Sequence, residues 1–199
     1  MLFVWLVIMV LIVFADQLTK YLTILFLKPV GDVPLWQDVF HLTYVENRGA
    51  AFGMLDDQRW VFLVISTVAI VAILVYLIWK KPTDKLQCLS LCFIVGGGIG
   101  NMIDRMLLGY VVDFLNVYLY YPTLQKPGGL TWGVYDFPVF NVADCFVTIG
   151  AGMMMLWAIM SMVKESKKAK AAVVAASADD LSDADPSNPD AEETPDAGE

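Results

Sequence analysis

Three uncharged runs set the terms on which this chain can fold. Trp60–Trp79 is twenty residues long, Leu86–Ile103 eighteen and Cys145–Val163 nineteen. A helix needs about twenty apolar residues to cross the hydrocarbon core of a bilayer, so each run is long enough to do so. The N-terminus adds a fourth. Residues 1–15 are wholly apolar, and Leu18, Tyr21, Leu22, Ile24 and Leu25 carry the pattern past Asp16, Gln17 and Lys20. The rival reading is a cleaved signal peptide, but no basic region precedes the run and no small-residue cleavage site follows it. The expected spans are therefore about 1–27, 60–79, 86–103 and 142–163. Composition agrees: 58% of residues are hydrophobic and only 17% charged, the profile of an integral membrane protein.

The net charge of -8 is a property of one end. Residues 176–199 (ASADDLSDADPSNPDAEETPDAGE) hold nine of the twenty-one acidic residues and no basic one. So polar a segment cannot bury enough apolar surface to fold alone, and 171–199 is read as a disordered acidic tail after a membrane domain at 1–170. It is read as solvated chain, not as a metal site or a nucleic-acid mimic. Cys88, Cys92 and Cys145 all lie inside apolar runs, which suits small packed side chains better than disulfides or a metal site. Lys80, Lys81 and Lys85 occupy the turn between the second and third spans, and Lys164, Lys167, Lys168 and Lys170 follow the fourth. The positive-inside rule then puts both termini in the cytoplasm and the segments 28–59 and 104–141 on the outer face.

Those outer segments carry weak strand signals. HLTYVEN alternates before Asn47-Arg48-Gly49, and VYLYYPTLQKPGGLTWGVYDF reads as two extended pieces about Lys126-Pro127-Gly128-Gly129. A small β element lying on the bilayer is expected. Helical spacing also gathers polar residues. Gly97, Asn101 and Asp104 share a face of the third span, Gly96 and Gly100 form a G-x-x-x-G pair, and Asp16 and Lys20 are four apart and able to pair. Asn141, Asp144, Cys145 and Thr148 form a stripe at the head of the fourth span, and Asp113 follows the third span by a short interval.

Several chemistries can be set aside. GGGIGNMI is not G-x-G-x-x-G and follows no strand; His41 is the sole histidine, without H-E-x-x-H; no serine lies in G-x-S-x-G. What remains is a set of carboxylates: Asp16, Asp104, Asp113, Asp136 and Asp144. Two carboxylates held close share a proton, so one can deprotonate water while the other donates, which hydrolyses an amide without metal or cofactor. The same residues also suit two other readings. They could merely neutralise Lys20, Arg48 or Arg105, or they could serve a small proton- or ion-coupled transporter.

Five segments, DQLTK (16–20), ENRGAAF (46–52), GGGIGNMIDR (96–105), VVDF (111–114) and FNVADC (140–145), resemble the bacterial lipoprotein signal peptidases (signal peptidase II) in sequence and in order. The resemblance covers residues 1 to about 163. It implies a membrane aspartic endopeptidase that removes the signal peptide from diacylglyceryl-modified prolipoproteins just before the lipid-modified cysteine. Asp113 and Asp144 would be the catalytic dyad. Asp16, Lys20, Asn47, Gly49, Gly97, Asn101, Asp104, Arg105 and Asn141 would position substrate or fix the dyad's geometry. It also implies membrane lipids as surroundings, sensitivity to globomycin-type inhibitors, no cofactor, no nucleic-acid partner and a monomer in the bacterial inner membrane. The interval from Asp113 to Asp144 is longer than is usual in the family, with the surplus within 117–136. That makes Asp136 a rival carboxylate, though it lacks the FN-x-AD context, and suggests an outer-face hairpin that extends the substrate-gripping surface.

Overall fold

Each long apolar run is a helix in the computed structural model, which describes residues 2–49, 59–125 and 129–182. Helix α1 spans Leu2–Leu22 and widens into a π-helical turn at Thr23–Leu27; α2 is Arg59–Lys80, α3 Lys85–Leu107 and α4 Val142–Ser182. Among the described residues these are four helices long and apolar enough to cross a membrane. Large apolar side chains such as Phe3, Phe14, Trp60, Val68, Trp79 and Leu156 point outward, which water would not tolerate and hydrocarbon accepts. α3 is the most enclosed, with half of its span buried. Its sequence explains why: Gly96 faces Ile12 of α1, Gly97 faces the Ala143 carbonyl of α4, and Gly100 faces the Asp16 carboxylate. A methyl group at any of the three would meet an atom closer than contact distance, so helix approach rests on their small size. Met9, Ile70, Leu77, Leu91, Cys92 and Val95 fill the space between α1, α2 and α3.

The polar segments form one antiparallel sheet in the order β1-β2-β3-β4, with β1 at Asp32–Trp36, β2 at Phe40–Asn47, β3 at Val111–Gln125 and β4 at Gly129–Asp136. β3 serves two neighbours. Residues 111–117 pair with β2, and Tyr118–Gln125 pair antiparallel with Gly129–Asp136, so β3 and β4 extend the sheet as the two arms of a hairpin. Between Leu42↔Leu115 and Val45↔Asp113 the register shifts by one residue, a bulge in β2 beside Asp113.

Three boundaries differ from those read in the sequence. α3 continues through Asp104 and Arg105 to Leu107 because Asp104 has buried partners that cancel its cost, so the outer segment begins after Leu107. β1 is an additional strand; its five residues include Pro34, tolerable at a sheet edge. α4 runs to Ser182, so residues 171–182, assigned to the disordered tail, are helical. Their run AAVVAASADD is rich in alanine, the strongest helix former. The rest of that tail and Ala50–Phe52 of ENRGAAF lie outside the described residues.

Candidate active site

Lys20, one turn beyond Asp16 on α1, is the hub of the polar interior. Its Nζ lies 2.8 Å from Asp16 Oδ2, 3.0 Å from Asp104 Oδ2 and 2.8 Å from Asn101 Oδ1, so its three donors meet three acceptors. Asp16, Lys20 and Asp104 are 0%, 2% and 3% exposed, and charges so deep need every remaining lone pair satisfied. They have it. Gln17 Nε2 donates to Asp104 Oδ1 at 2.9 Å, the Val112 N–H to Asp104 Oδ2 at 3.1 Å, and the Ala143 N–H to Asp16 Oδ1 at 2.9 Å. Asp16 thereby caps the N-terminus of α4 from a different helix, where the helix dipole favours negative charge. Asp104 ties the start of β3 to the end of α3, just before Asp113. The Gly109 N–H bonds back to the Asp104 carbonyl at 3.3 Å, and Gly109, at φ 86°, provides the left-handed residue that ends α3.

Asn141 and Asp144 open α4 as a reciprocal cap. The Asp144 N–H donates to Asn141 Oδ1 at 3.0 Å and the Asn141 N–H to Asp144 Oδ2 at 3.2 Å, satisfying helix-end groups in both directions. The same side chains reach the other carboxylate. Asn141 Nδ2 donates to Asp113 Oδ1 at 2.6 Å and to Asn101 Oδ1 at 3.0 Å, while Asn101 Nδ2 donates to Asp144 Oδ1 at 2.7 Å. From β2, Asn47 Nδ2 donates to Asp113 Oδ2 at 2.9 Å, and the Gly49 N–H donates to Asn47 Oδ1 at 3.1 Å, fixing the side-chain amide. Among the described residues neither Asp113 nor Asp144 is in an ion pair, whereas Asp16 and Asp104 both are. The charge-neutralising reading thus describes one pair of aspartates and leaves the other pair to explain.

Asp113, 1% exposed, and the more open Asp144 line one cavity of about 590 Å³. Burial pushes the Asp113 carboxyl up to about 7; the amide of Asn47 opposes the rise and the neighbouring Asp144 charge adds to it. Of the residues picked out in the sequence, Asn47, Gly49 and Arg105 also line this cavity. Arg105 lies over the Phe62 ring at 5.2 Å. Asp16, Lys20, Gly97, Asn101, Asp104 and Asn141 stand behind the wall, and Lys20 and Asp104 border a smaller space of about 170 Å³ with Gln17 and Tyr21. Asp136 ends β4 opposite Tyr118. His41 sits on the sheet, 3.0 Å from Asp32.

Two features went unread in the sequence. Gln17 seemed only an interruption of an apolar run, and its place four residues before Tyr21 on the Lys20 side of α1 was the available signal. Phe137, Val139 and Phe140 line the same cavity as Arg105; FPVF carries no periodicity that distinguishes a wall from a linker.

Known proteins share this chain's sequence pattern and fold. A sequence model of the family described as Signal peptidase (SPase) II matches residues 8–160. The lipoprotein signal peptidase of Caldanaerobacter subterraneus subsp. tengcongensis is 46% identical over 145 residues, 73% of this chain and 88% of that protein. That of Halalkalibacterium halodurans is 34% identical over 167 residues, 84% of this chain and 96% of its own length. A solved structure described as a bacterial membrane enzyme, determined in meso at 2.3 Å resolution, superposes with a TM-score of 0.64 at 28% identity, covering 83% of this chain and 90% of that one. The family match begins within α1, ends within α4 and includes the positions of Asp113 and Asp144, and the chain belongs to the signal peptidase II family.

Proposed function

We propose that the protein is a membrane aspartic endopeptidase that cleaves diacylglyceryl-modified prolipoproteins just before the lipid-modified cysteine, with Asp113 and Asp144 as its catalytic pair. The observation that carries this reading is the shared cavity: two carboxylates outside any ion pair, fixed by Asn47, Asn101 and Asn141. Asp144, the more open of the two, takes a proton from a water held between them, and the oxygen adds to the scissile carbonyl. Asp113, kept protonated by its burial, donates to the carbonyl oxygen. Collapse of the tetrahedral gem-diol breaks the C–N bond: the proton on Asp144 goes to the departing amine, and one hydroxyl returns its proton to Asp113.

Phe137, Val139, Phe140 and Ile149 offer the apolar surface on which acyl chains of the substrate rest, and Arg105 orients its polar backbone. Asn47, Gly49, Asn101 and Asn141 hold the dyad, while Asp16, Lys20, Asp104 and Gly97 hold the helices that carry it. Lysine placement favours an outer-face site with both termini inside, where a lipid-anchored substrate meets the enzyme without leaving its leaflet. The protein works as a monomer, and globomycin-type inhibitors occupy the dyad cavity. The test is reconstitution in vesicles with a diacylglyceryl-modified precursor. Cleavage that chelators leave unchanged is the expected result; proton or ion flux without cleavage would replace this reading with a transporter.

A further inference from the structure

Trp5 on α1 and Cys88 on α3 lie at the far ends of those helices from Lys20 and Asp104. Between them and the last turns of α2 is a separate cavity of about 470 Å³, walled by Trp5, Leu77, Ile78, Pro82 and Cys88, with Lys81 and Thr83 on its border. The apolar wall has no task in the dyad's chemistry, and its volume is in the range that holds a sizeable ligand. The cations around it are the second observation. Lys81 borders the cavity, and Lys80 and Lys85 are its neighbours in the same turn. Among the described residues none of the three is in an ion pair. The one carboxylate in the turn, Asp84, is engaged in capping α3 through the Gln87 N–H at 3.0 Å. Lys81 moreover adopts φ 43°, left-handed backbone that glycine takes freely and lysine takes at a cost.

We propose that this cavity binds one anionic glycerophospholipid, with an acyl chain against Trp5, Leu77 and Ile78 and the phosphate against Lys81. An apolar cleft topped by unpaired lysines between membrane helices matches both halves of such a molecule, and a free phosphate would use only one of them. By lysine count the site faces the inner leaflet, away from the dyad. The inference rests on the membrane reading of the fold and not on the peptidase chemistry, so lipid binding and cleavage fail independently.

Trp5 makes the site observable. Full-length protein is placed in phosphatidylcholine vesicles containing a small fraction of phosphatidylglycerol brominated on its acyl chain, and in vesicles with the bromine on phosphatidylcholine instead. The Trp5 component is the difference between wild type and Trp5→Phe. Brominated phosphatidylglycerol is expected to quench it at about fivefold lower mole fraction than brominated phosphatidylcholine, the preference one lysine confers beside an anionic lipid. Lys81→Gln should abolish the preference, and Ile78→Phe, which fills cavity space without adding a tryptophan, should weaken quenching by both lipids. Lys164→Gln should change nothing, and excess glycerol phosphate should not relieve the quenching. Equal quenching by both lipids, an unaltered preference in Lys81→Gln, or displacement by glycerol phosphate would overturn the proposal.

Discussion

The Asn141 side chain accepts from the Asp144 N–H while donating to Asp113 and Asn101, so one amide fixes the start of α4 and the Asp113 carboxylate at once. Each bond has a sequence cause: asparagine is a favoured N-cap, and an acidic residue three positions later completes the reciprocal cap. The Asn47 amide acts from the sheet side and favours the charged form of Asp113. Asn47→Ala should therefore do two things. Losing this donor costs about 1–3 kcal/mol, or about fivefold to 150-fold in kcat/KM. It also raises the Asp113 pKa further. Activity of the wild type should fall as pH rises through about 7, when Asp113 loses its proton and the pair its acid, and in Asn47→Ala that alkaline limb should move to higher pH. A pH–rate profile of kcat/KM checks both, and an unmoved limb would remove Asn47 from the protonation chemistry. Lys20 gives a stability counterpart. Lys20→Met leaves two buried carboxylates without their cation and should cost about 3–5 kcal/mol, read by thermal unfolding in detergent.

α3 is where elements meet, and its glycines decide how closely. Gly97→Ala would drive a methyl group into the Ala143 carbonyl and Val147, and overpacking of that kind costs about 1–3 kcal/mol. It should also displace the N-terminus of α4, so activity should fall more than stability does. Gly152, on α4 with nothing within 4 Å of an added Cβ, is the control: Gly152→Ala should raise stability by about 0.5–1 kcal/mol and leave turnover alone. The four helices were legible because span length and charge-free runs report directly on hydrocarbon. So was part of the polar interior, because Asn141 and Asp144 keep helical spacing and the DQLTK and GGGIGNMIDR segments present their polar faces by period. The end of α3 was not legible, since Asp104 and Arg105 look like a span boundary until the Lys20 and Val112 partners of Asp104 are seen. Nor was β1, whose DVPLW is short and contains a proline, nor the extent of β3, which continues from Val111 through the segment that composition marks only as aromatic. Pairing across α1, α3, β2 and α4 is a tertiary fact, and no local pattern contains it.

At the scale of the whole molecule, the Asp16–Lys20–Asp104 cluster lies at one end of α1 and α3, and Lys80, Lys81 and Lys85, outside any ion pair among the described residues, lie at the other. Orientation follows as a prediction: in a background lacking the native cysteines, a cysteine at Leu119 should react with an impermeant thiol reagent in intact cells, and one at Lys167 only after permeabilisation. The reverse pattern would put the dyad on the wrong side for its substrate. The β3–β4 hairpin is proposed to extend the surface that grips substrate; replacing 118–136 with a short turn should lower processing of some prolipoproteins, and unchanged processing of all would assign it no such part. The central claim is that Asp113 and Asp144 together perform the hydrolysis, and single-turnover cleavage of a purified diacylglyceryl-modified precursor tests it most directly. Asp113→Asn and Asp144→Asn should each reduce the cleavage rate by at least about a thousandfold while leaving the protein folded, because a dyad fails as a unit. Wild-type cleavage by either variant would contradict it.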